Sequence, residues 1–192
     1  LAVGSRLGDG SGNSQSQSGE VYLYTFSDSA FSGGELAATI GDGYSGGKNI
    51  NQDLDGSGTD LEIFGQSVSL DDNRLAVGAP YGDGSGNSNS NSGEVYLYTF
   101  SDSTFSGGEL AATIGAGYSG GKNFDQTLGG SDYFGWSVSL DGNRLAVGAI
   151  GGDGSGDSLG LSGEVSLYTF SDSTFSGGSL AATIGDGYSG GN

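Results

Sequence analysis

Side-chain oxygens alternate along residues 51–60 in a pattern that could bind a divalent cation. Calcium loops supply oxygens from alternate residues as the chain wraps around the ion, and a glycine at the sixth position permits the sharp turn. Gly56 stands at that position, and the final acid falls one residue later than usual. The segment is a candidate Ca2+ site, and the alternative is an acidic, solvated loop. The candidate ligands are Asn51, Asp53, Asp55, Ser57 and Asp60.

A shorter acidic motif, Asp-Gly-Ser-Gly, occurs three times, beginning at Asp9, Asp83 and Asp153. Runs of Gly-Asp-Gly resemble calcium-binding β-roll repeats, but those repeats must be stacked next to one another. The copies here belong to separate repeat units, so a flexible surface loop is the favoured interpretation. The Ser, Asn and Gln residues of these loops could bear glycans or contact a partner.

Catalysis finds little support in the residue types present. A general base near neutral pH is most often His, and the chain has none. Paired carboxylates could hydrolyse glycosides, but the candidate acids recur at equivalent positions, which favours a structural role. We therefore predict a protein that is not an enzyme. The recurring acids are Glu20, Glu94 and Glu164 before an apolar run, and Asp28, Asp102 and Asp172 in a turn.

Aromatic side chains outside the apolar runs could contact a ligand. Tyr44, Tyr118 and Tyr188 recur in the sequence Gly-Tyr-Ser-Gly-Gly. Their rings could stack on sugars or proteins, or anchor each loop back onto its sheet, and both alternatives stay open. Trp136 is the only Trp, and we expect it to fill the gap between neighbouring sheets rather than stack on a sugar.

The charge balance excludes two classes of partner. The formal net charge is -18, and only five residues are Lys or Arg. Nucleic-acid binding depends on neutralising phosphates with basic side chains, and adsorption to anionic membranes has the same requirement. No segment approaches the ~18 apolar residues of a spanning helix. We expect neither nucleic-acid binding nor membrane insertion.

One passage occurs three times, opening at Gly19, Gly93 and Gly163 with Gly-Glu-Val and closing with Leu-Ala-Ala-Thr-Ile-Gly. A long repeat of this kind predicts an array of equivalent structural units. Gly contributes 42 of 192 residues, a bias also found in disordered linkers, but the regular apolar blocks argue against disorder. The absence of Met, even at position 1, predicts a processed product or a fragment.

Four short strands are predicted in each complete unit. In the last unit they cover residues 134–140, 144–149, 164–170 and 180–184, and a hairpin turn at 141–143 joins the first two. In the first copy Val21, Leu23 and Thr25 face one way, and Tyr22, Tyr24 and Phe26 face the other. Because both faces are apolar, we expect both to be covered.

These patterns predict an all-β fold built from β-propeller-type blades of four antiparallel strands. A β-solenoid is the main alternative, but its coils are usually about 20–30 residues long. The predicted units are residues 1–63, a partial blade with a joining loop, residues 64–133, a complete blade with a joining loop, and residues 134–192, a complete blade and tail. The total is about 2.75 blades, so we expect a fragment of a larger ring or association with further blades.

The residues of these units resemble the FG-GAP repeat family of β-propellers, found in integrin α-subunits and bacterial surface proteins. Phe64-Gly65 is followed by Gly78-Ala79-Pro80, and Phe134-Gly135 is followed by Gly148-Ala149-Ile150, where the Pro is lost. The first copy lacks the Phe-Gly half. Better-known members place a calcium loop between the two halves, but here that position holds only a tight turn, so this calcium role does not carry over.

The resemblance implies a non-enzymatic protein located outside the cell or at its surface. Adhesion, surface-matrix formation or assembly through loops is the function we expect, with a protein or glycan ligand or self-association. A carbohydrate-binding lectin and a purely structural spacer are the alternatives. Calcium is the one cofactor that the residues suggest.

Overall fold

The regular structure in the described part of the chain is almost entirely β-strand. The computed structural model describes residues 1–13, 15–54, 61–156 and 160–189, and its only helical element there is a turn of 3-10 helix at Ser11–Asn13. None of these residues forms a helix long and apolar enough to cross a membrane. The strands are β1 Ala2–Ser5, β2 Glu20–Thr25, β3 Glu35–Gly41, β4 Ile50–Asn51, β5 Ser67–Asp71, β6 Arg74–Ala79, β7 Glu94–Thr99, β8 Glu109–Gly115, β9 Phe124–Asp125, β10 Phe134–Asp141, β11 Arg144–Ala149, β12 Glu164–Thr169 and β13 Ser179–Gly185.

The strands form three sheets in chain order: a first sheet of β1–β4, a middle sheet of β5–β9 and a last sheet of β10–β13. Neighbouring strands pair antiparallel, except that β4 and β9 are added in parallel to β3 and β8. The all-β class is confirmed, and the sheets are consistent with propeller-like blades. The number of blades in a closed ring stays a prediction.

The antiparallel strands lie where the sequence patterns place them. In the last sheet β11 covers 144–149 as predicted, and a two-residue hairpin pairs Asp141 with Arg144. Strand β10 contains a bulge between the pairs made by Phe134 and Ser137, which the residue pattern of 134–140 did not predict. Gly135 has a φ of 88°, which a glycine adopts without strain and which allows this bulge.

Each sheet has two different apolar faces, best seen on strand β7. Val95 and Leu97 lie on one face, which we call the aliphatic face. Tyr96, Tyr98 and the following Phe100 lie on the other, which we call the aromatic face. All five side chains are buried, because in the middle sheet both faces are covered by a neighbouring sheet.

The aliphatic face of each sheet packs against the aromatic face of the next. Two apolar clusters result, and each buried aliphatic or aromatic side chain contributes about 1.5–3 kcal/mol. Between the first and middle sheets the cluster includes Val21, Leu23, Ala38 and Ile40 with Phe64, Tyr96, Tyr98, Phe100 and Phe105. Between the middle and last sheets it includes Val95, Leu97, Ala112 and Ile114 with Phe134, Tyr168, Phe170 and Phe175.

The Phe-Gly pair of one repeat contacts glycines of the repeat before it. Gly93 forms a bridge with Phe134, as Gly19 does with Phe64. A Cβ atom on Gly78 would overlap the carbonyl oxygen of Gly135. The two halves of the motif therefore form one contact between neighbouring sheets, made by backbone against backbone.

Polar side chains join the same pairs of sheets. The Tyr98 hydroxyl donates to Gln52 Oε1 at 2.6 Å, and the Tyr168 hydroxyl donates to Gln126 Oε1 at 2.6 Å. Lys48 Nζ donates to the carbonyl of Thr104 at 2.6 Å. Lys122 makes the equivalent bond to Thr174 at 2.8 Å. Both interfaces thus use the same donors and acceptors at equivalent positions.

We expect Gly78→Ala to destabilise the chain by about 3 kcal/mol, because the added methyl group must displace the backbone of Gly135. The control is Gly148→Ala at the equivalent position of the last repeat, where the nearest atom is the rotatable Ser137 hydroxyl at 2.5 Å. We expect this control to cost about 1 kcal/mol or less. Urea unfolding of both variants provides the measurement, and equal losses would contradict the proposed backbone contact.

Candidate functional site

Two of the five predicted cation ligands lie in the described part of the chain. Asn51 ends strand β4, and its Oδ1 accepts a bond from the Gly43 amide at 2.7 Å. Asp125 makes the equivalent bond to Gly117 at 2.7 Å, so Asn51 has a turn-closing role that is independent of any ion. Asp53 is exposed, whereas Asp55, Ser57 and Asp60 lie outside the described residues. Among the residues described, no three acidic, His or Cys side chains are grouped to hold a metal.

The three Asp-Gly-Ser-Gly loops have the same internal hydrogen bond. Asp9 Oδ1 accepts from the Gln17 amide at 2.8 Å, and Asp153 Oδ1 accepts from the Leu161 amide at 2.8 Å. Asp83 closes the middle loop in the same way. The acid of each motif is therefore part of the loop's own framework. We call the described residues of 9–18, 83–92 and 153–162 the display loops.

Each display loop is also fixed to the turn that follows its repeat's last long strand. The Ser85 amide donates to the carbonyl of Ala116 at 2.8 Å, and Ser11 and Ser155 make equivalent bonds at 2.8 and 2.9 Å. Because each loop connects equivalent strands, all three lie at the same end of their sheets. Their outer residues, such as Asn13 and Asn87, are exposed.

Tyr44 and Tyr188, two of the recurring tyrosines, anchor their loops to the sheet. Anchoring was one of the two roles that the sequence left open. The Tyr44 hydroxyl donates to Glu20, and the Tyr188 hydroxyl donates to Glu164 Oε2 at 2.9 Å. Glu20 also accepts a bond from the Tyr22 hydroxyl, and this bond raises the pKa of Tyr22 to about 12. At neutral pH the phenol therefore stays a neutral donor, and the glutamates have the structural role that their recurrence predicts.

Glu94 is the most enclosed of these acids. Its carboxylate accepts a bond from the Tyr96 hydroxyl at 2.8 Å, and the side chain is almost completely buried. Burial raises the pKa of the Glu94 carboxyl, and the charge of Asp83 acts in the same direction. A buried acid held among tyrosines lacks access to a substrate, so its environment serves the fold.

The second set of recurring acids closes turns, as predicted. Asp102 Oδ1 accepts from the amides of Thr104 and Ser106 at 2.9 and 3.1 Å. The hydroxyl of Thr104 bonds to the same oxygen and is the largest cause of the lowering of the Asp102 pKa to about 2. Asp172 has the equivalent set of bonds.

The Gly-Tyr-Ser-Gly-Gly turns match the spacing Gly-x-Ser-x-Gly, which in serine hydrolases places a nucleophile between a strand and a helix. Sequence reasoning missed this match, although the spacing is present in all three copies. Residues 43–47 lead instead into the short strand β4, and no helix begins there among the described residues. The turn therefore lacks the helix that supports such a nucleophile.

An aromatic cluster that sequence reasoning also missed lies beside the bulge of β10. The rings of Tyr81 and Tyr133 are 5.2 Å apart, and Trp136 packs edge-on to Tyr133 at 6.3 Å. All three are half-buried. Trp136 is absent from the buried cluster between the sheets, so the expectation that it fills that gap is not supported. Ile63 and Gln66 occupy the corresponding positions in the preceding repeat, so local periodicity gave no signal for the cluster.

A cavity of about 610 Å³ adjoins the segment that joins the middle and last sheets. Its lining includes Gln126, Asp132, Asp153, Glu164 and Tyr188. The volume is within the range of small-ligand sites. Carboxylate and amide oxygens beside an aromatic ring suit a ligand rich in hydroxyl groups.

Comparison with known families agrees with this geometry. The family profile described as FG-GAP repeat matches residues 53–98 and 128–168. Each match begins in a joining segment, crosses the Phe-Gly pair and ends in strand β7 or β12. No curated protein sequence matches the chain.

We expect Glu94→Gln to change how stability depends on pH. The raised pKa means that the folded chain holds this proton more tightly than the unfolded chain. The stability that protonated Glu94 contributes is therefore complete below pH 4.5, the ordinary pKa of a glutamate, and is lost as pH rises through the pKa of Glu94 in the folded chain. As pH rises from about 4 to 8, the free energy of unfolding of the variant should increase relative to that of the unmodified chain. The increase should be about 1.4 kcal/mol for each unit by which folding raises the pKa of Glu94.

The measurement is urea unfolding at several pH values. Glu164→Gln is the matched control, because it removes one carboxylate from a half-exposed equivalent position. Identical pH profiles for the two variants would contradict a special role for burial at Glu94.

Proposed function

We propose that this chain is a non-enzymatic extracellular protein that works in adhesion, surface-matrix formation or assembly. The proposal is supported by its FG-GAP repeats, because such repeats occur in extracellular adhesion-type proteins and are generally non-enzymatic. The contact surface in this proposal is the set of display loops. We also propose a bacterial origin, which the Gly-rich, acidic and repetitive composition supports.

One observation carries the proposal: three loops that share the motif Asp-Gly-Ser-Gly lie at the same end of their sheets, with the same bonds at their bases. Asp9, Asp83 and Asp153 close the loops from inside. The packed sheets hold the loops at fixed separations. When equivalent loops on one rigid support bind a partner together, the free energies of their weak contacts add. Three such loops can therefore bind a multivalent surface that a single loop would bind too weakly.

The chemistry of the loops suits this role. Asn87 and its neighbouring serines expose amide and hydroxyl groups, which can bond to glycan hydroxyls or to protein backbone. The net charge of -18 keeps the surface soluble and disfavours non-specific contact with nucleic acid. The acids that might have served catalysis already close turns and anchor loops.

Clumping of beads coated with the chain, measured by light scattering, tests the proposal. We expect the double variant Asn13→Gly with Asn87→Gly to clump less than either single variant, because two contacts are lost together. Glycine retains the positive φ of both positions, which are 55° and 52°. The control is Ser29→Gly with Ser103→Gly, in exposed turns at the opposite end of the sheets.

Equal clumping by the double variant and its control would contradict contact through the display loops. If the unmodified chain neither clumps beads nor binds a glycan array, the structural-spacer alternative is favoured. Adhesion to a glycan array alone would favour the lectin alternative.

The half-buried cluster of Tyr81, Tyr133 and Trp136 is the specific observation that supports the lectin alternative, together with the cavity beside Asp132. Since Trp136 is the only Trp, its fluorescence reports on this cluster alone. A lectin site there predicts a saturable change of Trp fluorescence with any sugar that scores on the array, and its loss in Tyr133→Ala.

We also propose, from the sequence alone, that Asn51, Asp53, Asp55, Ser57 and Asp60 bind Ca2+. We then expect EDTA to lower the melting temperature of the chain, because an ion that binds only the folded state stabilises it. Asp55→Ala should lower it similarly and abolish the response to EDTA. Asp125→Ala, in the shorter joining segment, is the control that should keep that response. An unchanged melting temperature in EDTA would remove the calcium proposal.

A further inference from the structure

The last repeat differs from the other two at one position of its aromatic face. Ser166 stands where both other copies have Tyr. In the middle sheet this tyrosine, Tyr96, donates to Glu94 at 2.8 Å. Glu20 and Glu94 are 6% and 3% exposed, whereas the equivalent Glu164 is half-buried and lines the cavity of about 610 Å³. The missing ring therefore leaves a carboxylate open to this cavity.

Two polar atoms of the cavity make no hydrogen bond in the described part of the chain. One is Glu164 Oε1, whose companion oxygen accepts from Tyr188. The other is Gln126 Nε2, although Gln126 is only 8% exposed and its Oε1 accepts a tyrosine hydroxyl. In the preceding joining segment, Gln52 Nε2 donates to a backbone carbonyl at 3.3 Å. A buried donor without a partner is unfavourable, so a ligand that supplies an acceptor to Gln126 would remove this cost.

The described lining of the cavity is acidic and contains no Lys or Arg. Among the described residues, no three acids lie close enough together to hold one metal ion, so the carboxylates of the lining suit a ligand larger than a single ion. Phe124 and Leu128 add an apolar surface. A matching ligand combines a positive charge, several hydroxyl groups and an apolar face. The carboxylates are those of Asp125, Asp132, Asp153 and Glu164.

We propose that this cavity binds a hexosamine with a free amino group, as one unit of a cationic polysaccharide. The ammonium group of the sugar pairs with Glu164, and one sugar hydroxyl accepts from Gln126 Nε2. Other hydroxyls donate to the remaining carboxylates, and the apolar face of the pyranose ring packs on Phe124. Because its ligand is a glycan, this site rests on the lectin alternative of the proposed function.

The positive charge of the sugar distinguishes this ligand from its acetylated derivative. N-acetylation replaces the ammonium group by a neutral amide, which removes the charge-assisted bond to Glu164. The net charge of -18 on the chain also attracts the amine over a longer range. A hexosamine with a free amine should therefore bind more tightly than the same sugar with an acetylated amine.

Isothermal titration calorimetry with glucosamine, at about pH 6 so that the amine is protonated, tests the proposal. We expect saturable binding of glucosamine and about tenfold weaker binding of N-acetylglucosamine, because one charge-assisted bond is lost. Ser166→Tyr restores the ring that the other two copies carry at this position and should abolish binding. Glu164→Gln keeps the shape of the side chain and should reduce the affinity for glucosamine to that for N-acetylglucosamine.

Glu35→Gln is the matched control, since it removes the same charge from an exposed position in the first sheet, and it should bind glucosamine like the unmodified chain. Absence of saturable binding, or unchanged binding by Ser166→Tyr, overturns the site. Equal affinity for glucosamine and N-acetylglucosamine overturns the assignment of a cationic sugar.

The bead and glycan-array experiments separate this inference from the proposed function. If the unmodified chain clumps beads or binds the array but does not bind glucosamine, the hexosamine site is wrong and the proposed function stands. If the chain does none of the three, both are wrong. Ser166→Tyr leaves the display loops intact, so it should still clump beads.

Discussion

The spacing of the sheets depends on one close approach of backbone to backbone. The Phe134-Gly135 pair lies against Gly78 and Gly93 of the repeat before it, with no side chain between the two backbone segments. Any Cβ at Gly78 would push the strands apart, and the side chains of the two facing sheets would no longer reach each other. The buried clusters, the tyrosine–glutamine bonds and the lysine bonds to the turns are all possible only at the distance that these glycines allow.

Once that distance is set, the same residues meet at both interfaces. Tyr98 finds Gln52 across the first interface, and Tyr168 finds Gln126 across the second. In an array of this kind each unit interacts with its immediate neighbours, and stability is approximately a sum of unit and neighbour terms. A residue in the repeated passage therefore serves its own sheet and an interface at the same time. This double duty gives a physical reason for the near-identity of the three copies, including acids that resemble catalytic residues when read singly.

Much of the fold follows from local patterns. Alternating apolar residues and the Asp-Gly-Asn turn predict β11 and the hairpin before it, because both depend on neighbours in the sequence. The two-residue strands β4 and β9 were not predictable, since two residues leave no periodicity and their partners lie across a turn. The bulge at Gly135 and Trp136 was also missed, because alternation continues in the sequence while the pairing does not. At the candidate site, turn chemistry predicts the role of Asp172, whereas the partners of Tyr44 and Gln52 are set by the packing of distant segments.

The pairing of an aliphatic face with an aromatic face has a consequence for how such a chain can evolve. Each repeat carries both halves of the interface, one on each side of its sheet. A duplication of the coding segment for one repeat would therefore insert a unit that already fits both of its new neighbours, with no compensating substitution. Growth or shortening of the array by whole repeats would then preserve the contacts between neighbouring sheets.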